Sequence, residues 1–357
     1  MNEYIEYIYI LTAAVINCFI PKRIQKLSSI ILLLAMMLMC GFRAYDVGSD
    51  THNYVAYATS FYVNDYMWGP LYLIFKQIAE LFDNTETAFL MVMAILTYIP
   101  LMYIVKKESY IPALTVLMFI IPCGIFFNET FNIARQAMAV NYILLAAMAV
   151  HHGKIKLGYA LVILSFFLHP YTFPFVLFFF IRNIRFTPYV VYWTMGITML
   201  LGIVGTLSGI QLVLNGMAAL VSDASSELIL KLAKYGNGYD IASGFSLIGQ
   251  LSHMLPMVGL CILGVNNKTQ DNIYFKMMVC GSAITNIFVT VIYCERIAST
   301  FTIAQLLAVP FIYTTLNRKK RTILILILIF TALLYVYNLK GYAADPLLWT
   351  KYHSIFN

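Results

Sequence analysis

Apolar runs recur from one end of this chain to the other, and several approach or exceed the ~17–25 residues a helix needs to cross ~30 Å of hydrocarbon. They fall near residues 4–20, 28–42, 87–105, 110–122, 135–150, 157–168, 171–181, 188–211, 245–265, 272–293, 297–316 and 322–338. No other feature restricts the fold as tightly. The pattern predicts an all-α, polytopic transmembrane helical bundle of about 10–12 membrane segments, some short or re-entrant, in one integral membrane domain over 1–357. Composition agrees: 61% of the 357 residues are hydrophobic and 11% charged, against about 25% charged in a soluble domain. Pro170 leaves open whether 157–181 is one kinked helix or two passes.

The charges then thread the chain. If loops alternate sides, one side receives Lys22, Arg23, Lys26, Lys106, Lys107, Lys154, Lys156, Arg182, Arg185, Lys268, Lys276, Arg318, Lys319, Lys320 and Arg321, fifteen of the 23 basic residues. Of the 16 acidic residues only Glu108 and Asp271 join them. By the positive-inside rule that side is cytoplasmic, and treating 157–181 as two passes keeps the rule satisfied at every inner loop. Acidic Glu3 and Glu6 precede Lys22, Arg23 and Lys26, the reverse of a secretory signal, so the first run reads as a retained helix with its N-terminus outside. The net charge of +7 is therefore a topology signal and not a nucleic-acid footprint. Two outer regions are long, about 43–86 and 211–244; within the first, Trp68 to Phe82 reads as an interfacial or re-entrant helix.

Four polar stretches stand at ends of apolar runs on the outer side. Gly41 to Tyr54 packs Arg43, Asp46, Asp50 and several hydroxyls into a turn-rich segment suited to phosphate and sugar groups; a solvated loop with Arg43 anchoring a helix end accounts for it equally well. Asn128 to Gln136 places Arg135 and Gln136 at the start of an otherwise apolar helix, where a cation costs several kcal/mol unless paired or hydrated, so a functional role outweighs a structural pair with Glu129. His169 stands alone at a proline break; it can exchange a proton near neutral pH, but a hydrogen bond to a freed carbonyl is the simpler reading. Glu295 and Arg296 form a charged pair in a short outer turn, where they neutralise each other or join the same outward-facing cavity. A cluster of arginines at that depth suits a pyrophosphate near the bilayer surface.

The six cysteines (Cys18, Cys40, Cys123, Cys261, Cys280, Cys294) form no CxxC pair, and most lie in apolar spans as small hydrophobes. No metal site, disulfide framework or cofactor is expected. Walker, GxGxxG, HExxH and GxSxG motifs are absent.

In order and spacing, the four stretches resemble the EpsG-like branch of Wzy-type polysaccharide polymerases, the membrane enzymes that build O-antigen, capsule or exopolysaccharide. Arg43 with Val47-Gly48-Ser49-Asp50-Thr51 and Tyr54, then Arg135-Gln136 with Ala139, His169, and Glu295-Arg296 carry the resemblance over roughly residues 40–300. Where family members often read Gly-Thr-Asp-Thr this chain has Gly-Ser-Asp-Thr, and where they often place a small hydroxylated residue after the histidine it has Pro170. The resemblance implies a GT-C-like bundle in the bacterial cytoplasmic membrane, with its site facing outward. It implies transfer of glycan from an undecaprenyl-diphosphate carrier to the next lipid-linked unit, without nucleotide sugar, nucleic acid or cofactor. The implied partners are the undecaprenyl-diphosphate-linked oligosaccharide, membrane lipid and a chain-length regulator. Arg135, Arg296 and Arg43 are then expected to bind the diphosphate, with His169 or Asp50, and less favourably Glu295, as the acceptor base. Gln136 would join the substrate-binding set, and Tyr54, Trp68 and the 211–244 loop would cradle sugar rings. A lipid-linked oligosaccharide flippase, a membrane O-acyltransferase and a ligase are the competing classes.

Overall fold

The computed structural model describes residues 5–60, 69–121, 130–208, 247–289, 292–343, 352 and 354–355. They are helical throughout, without a strand among them; one isolated antiparallel bridge joins Arg43 to Ser354. Trp68, Glu129 and the 211–244 region lie outside the described residues. Among the described residues three stretches are long and apolar enough to cross a membrane, the helices Lys22–Gly41 and Thr85–Glu108 and the interrupted stretch Arg296–Thr315, with shorter apolar helices around them. This is a helical membrane bundle, as the apolar runs predict.

The residues divide into two compact units. The first comprises Met1–Asn183 with Ile303–Asn357, and the second Ile184–Thr302. In the first unit the elements are α1 (Ile5–Asn17), α2 (Lys22–Gly41), α3 (Thr51–Thr59), α4 (Pro70–Ala79), α5 (Thr85–Glu108), α6 (Pro112–Ile120), α7 (Ala134–His151) and α8 (Ile155–Leu168). A 3₁₀ segment (Pro170–Leu177) and short α9 (Phe178–Ile181) follow. Proline at N1 of α4 and α6, where no amide partner is needed, starts both helices. Asn84 caps α5 by accepting from the Thr87 N–H at 3.0 Å. At 24 residues α5 is about 36 Å long, enough to span with tilt.

The proline break after α8 resolves into a hairpin and not a kink. Tyr159 stacks on Phe179 at 4.0 Å and Phe166 meets Phe173 at 5.8 Å, so the two strands of chain run antiparallel with His169 at the tip. Helices α7 and α8 are also antiparallel neighbours. Ser165 donates to the Ala139 carbonyl at 2.8 Å, and a Cβ at Gly158 would lie 2.6 Å from Val150 Cγ2. At the far end of α7, His152 pairs with Glu108 at the end of α5, joining two connections that the charge pattern assigns to one side.

The second unit holds α10 (Pro188–Ser208), α11 (Leu247–Gly264), α12 (Ile273–Ile287) and α13 (Ile292–Thr302). Helices α10 and α12 approach so closely that a Cβ at Gly202 would meet the Asn286 carbonyl at 2.0 Å. Beside that contact, buried Asn286 donates to Thr198 Oγ1 at 3.1 Å. The Arg185–Asp271 ion pair, 3.0 Å, ties two connections assigned to the same side.

Two boundaries differ from the sequence expectation. The run at 272–293 ends as a helix at Ile287, and residues 294–299, expected as a turn, are helical within α13. The run at 297–316 breaks at Ile303–Ala304 before α14 (Gln305–Thr315), and α15 (Arg318–Ala343) completes the first unit. Pro310 inside α14 withholds the amide that would satisfy the Leu306 carbonyl, and Thr115 Oγ1 donates there instead at 2.9 Å. Hydropathy registers none of this, because the residues remain apolar across both breaks.

Candidate functional site

The first of the four polar stretches folds onto the second. After α2, the chain turns through Val47–Asp50 into α3, and Gly48 adopts φ +92° with the Phe131 carbonyl pressed against its α-carbon; a Cβ there would lie 2.5 Å from that oxygen. Only glycine takes this conformation and this approach without cost. The contact is fastened on both sides. The Ser49 N–H donates to Asn132 Oδ1 at 2.8 Å, and the Tyr54 hydroxyl donates to the Asn132 carbonyl at 3.2 Å. The Arg135 N–H at the start of α7 donates in turn to that hydroxyl, satisfying one of the helix's open amides.

Arg43 holds this joint from beneath. It is 3% exposed; its Nε donates to Thr51 Oγ1 at 3.0 Å and its Nη1 to the carbonyls of Cys40 and Thr130 at 3.3 and 3.1 Å. Its guanidinium lies 5.5 Å from the Phe131 ring. Among the described residues no carboxylate lies within ion-pair distance of it. A small pocket beside it is lined by Cys40, Thr97, Tyr98, Thr130 and Ala134. The C-terminal residues cover the same corner: the Ile355 N–H donates to the Phe42 carbonyl at 3.1 Å, and the Tyr352 hydroxyl to that of Met39 at 3.2 Å.

Asp50 sits half-buried at the N-terminal boundary of α3, its carbonyl accepting from the Asn53 and Tyr54 amides. Burial, and then the neighbouring Asp50 charge, push the Tyr54 phenol up to about 12, against Arg135 and Arg43, which pull it down. Arg135, half-buried, lies with its guanidinium 5.7 Å from the Tyr72 ring. Gln136, next in the first turn of α7, is buried at 2% exposure.

The third stretch reaches the same place through Tyr72. Its hydroxyl donates to the Leu168 carbonyl at 2.9 Å, immediately before His169. His169 is 8% exposed and closes α8 by donating its N–H to the Ser165 carbonyl at 2.8 Å. Its own carbonyl accepts from the Thr172 hydroxyl at 2.9 Å, which fixes the corner despite Pro170. The ring lies 5.2 Å from that of Tyr171.

One end of the first unit therefore carries Arg43, Asp50, Tyr54, Arg135, Gln136 and His169, linked through Asn132 and Tyr72. Such a surface can offer cationic and amide donors to an anion and a carboxylate or imidazole to a hydroxyl proton. Arg296 belongs to α13 of the second unit, its carbonyl accepting from Ser299 Oγ at 2.9 Å. Glu295 precedes it in α13, with its side chain outside the described portion. Sequence reasoning passed over Tyr72, although Tyr72, Phe75 and Ala79, all buried, keep the spacing of one helical face. It also passed over Tyr352 to Ile355, for which no local signal exists.

No curated protein and no solved structure matches the chain. The EpsG family model matches residues 26–354, nearly the whole length. The chain belongs to the EpsG family, membrane proteins of the polysaccharide-polymerase type.

Proposed function

We propose that the protein is a Wzy-type glycosyltransferase of the cytoplasmic membrane, working at its outer face on undecaprenyl-diphosphate-linked oligosaccharide. Family membership supplies the reaction class. The observation that carries the reading is the joint between the Gly48 turn and the start of α7, which gathers Arg135, Asp50 and Tyr54 around one surface reached also by His169.

In the transfer, an acceptor hydroxyl at the non-reducing end of one lipid-linked unit attacks the anomeric carbon of the growing glycan. The bond to the diphosphate oxygen breaks, a glycosidic bond forms, the hydroxyl proton passes to a base and the lipid diphosphate departs. Arg135, at the positive end of the α7 dipole, receives the diphosphate charge, and Arg296 is assigned the same task. Gln136 follows Arg135 in the substrate-binding set. His169 takes the proton, with Asp50 and Glu295 as the other candidates for it. Arg43, with its donors engaged by Thr51 and two carbonyls, contributes its charge from below and keeps the Gly48 turn seated. A chain-length regulator is the proposed protein partner.

Deleting the gene in a strain that makes the cognate glycan tests the reading on a gel of surface polysaccharide. Loss of the ladder with a single repeat retained supports it. Loss of every repeat would point to a flippase or ligase, and a full ladder with altered acylation to an acyltransferase.

A further inference from the structure

Arg135 lies in the first turn of α7, and His169 follows the end of α8. One side chain touches the surroundings of both. Tyr72 of α4 is fully buried. The Arg135 guanidinium lies 5.7 Å from the centre of its ring, and its hydroxyl donates to the carbonyl of Leu168 at 2.9 Å. That carbonyl needs a partner, because α8 ends at Leu168 and the Thr172 amide that would have continued the ladder donates instead to the His169 carbonyl at 3.2 Å.

The position of Tyr72 is set independently of either group. Gly69 at φ +81° and Pro70 at N1 start α4, the Tyr72 N–H donates to the Gly69 carbonyl at 3.2 Å, and the ring packs edge-on against Phe75 at 5.3 Å. The same core holds Tyr54, Ala134 and Leu168. The residue thus spans from the element that presents Arg135 to the one that presents His169. A phenylalanine would fill the same space with no polar atom to bury, and would leave the Leu168 carbonyl without the hydroxyl that donates to it.

We propose that Tyr72 is a positioning residue: its ring orients the Arg135 guanidinium toward the diphosphate, and its hydroxyl fixes the His169 corner at the acceptor. The inference rests on the polymerase reading above. The two functions separate by substitution. Tyr72→Phe keeps the platform for Arg135 and frees the corner, whereas Tyr72→Leu removes both.

The test uses the full-length protein in proteoliposomes with a lipid-linked repeat unit, rates being normalised to folded enzyme. Tyr72→Phe should lower kcat about five- to tenfold, the worth of one hydrogen bond, with KM within about twofold. In a His169→Gln background the same change should lower kcat no further, because its effect passes through His169. Tyr72→Leu should also weaken binding of undecaprenyl diphosphate, measured directly, by about tenfold, while Tyr72→Phe leaves it unchanged. A merely structural tyrosine would lower the amount of folded protein and leave kcat, KM and diphosphate affinity per folded molecule as in wild type. That result, or an equal further loss of kcat in the His169→Gln background, overturns the assignment. If Tyr72→Leu does not fold, the Tyr72→Phe kinetics decide alone. Wild-type protein that makes no polymer from the lipid-linked unit would refute the polymerase reading itself, an outcome distinct from an active wild type with an indifferent Tyr72.

Discussion

Replacing Gly48 by alanine separates backbone conformation from packing in one comparison. Gly48 and Gly153 both have positive φ, +92° and +74°. An alanine at either pays about 1–2 kcal/mol for the left-handed backbone. At Gly153 that is the whole cost, since a Cβ would find nothing within 4 Å. At Gly48 the Cβ would lie 2.5 Å from the Phe131 oxygen, 3.0 Å from its carbon and 3.1 Å from Thr51 Oγ1. The nearest obstacle is backbone, which cannot rotate aside as a side chain can. Separating the two segments adds about 1–3 kcal/mol of overpacking and stretches the Ser49–Asn132 hydrogen bond that holds Asp50 beside α7. Gly48→Ala should therefore be destabilised by about 2 kcal/mol more than Gly153→Ala in denaturant titrations of the purified protein in detergent. Its glycan ladder should shorten while that of Gly153→Ala is unchanged. Equal midpoints for the two variants would refute the packing of the Gly48 turn on Phe131.

Three further outcomes follow. Arg135→Lys keeps the charge but loses the planar guanidinium over Tyr72, so the ladder should collapse toward the single repeat on a gel although the protein is made at wild-type level. The Tyr54 phenol is raised in the folded protein, so the stability it lends is fully present below its ordinary value of 10 and is lost as pH rises through about 12; in a pH–rate profile, Tyr54→Phe should not alter any alkaline limb that begins below pH ~9. In the second unit, Gly202→Ala would drive a methyl to 2.0 Å from the Asn286 carbonyl, while at Gly196 a Cβ meets nothing within 4 Å. The first should cost about 3 kcal/mol or more and depress the yield of folded protein. The second should be neutral or stabilising by up to ~1 kcal/mol.

The helices were legible because lipid demands long apolar segments, and Lys22–Gly41 or Thr85–Glu108 carry that demand on their surfaces. Charge counting separated 157–168 from 171–181 correctly, since a kinked single pass would have put the Lys154 and Arg182 connections on opposite sides; the antiparallel stacking of Tyr159 on Phe179 agrees. Breaks inside apolar runs were not legible. Nothing in the composition of 297–316 marks Ile303–Ala304, and the helical state of 294–299 depends on its packing in the second unit. At the site, the polar stretches announced themselves because polar groups are costly near lipid. What they touch did not. Tyr72 reads as one aromatic among many until the distant Leu168 carbonyl and Arg135 are seen beside it. The burial of Arg43 beneath Ser354 and Ile355 joins residues more than three hundred positions apart, a pairing with no sequence-local trace.

The proposed reaction joins lipid-linked glycans with the diphosphate bond as the energy source. Purified protein in liposomes, given only a synthetic undecaprenyl-diphosphate-linked repeat unit, should convert it to a ladder of longer lipid-linked glycans with release of undecaprenyl diphosphate, and Arg135→Ala should not. A repeat unit left intact by well-folded wild-type protein, or a ladder that forms equally with Arg135→Ala, would contradict it.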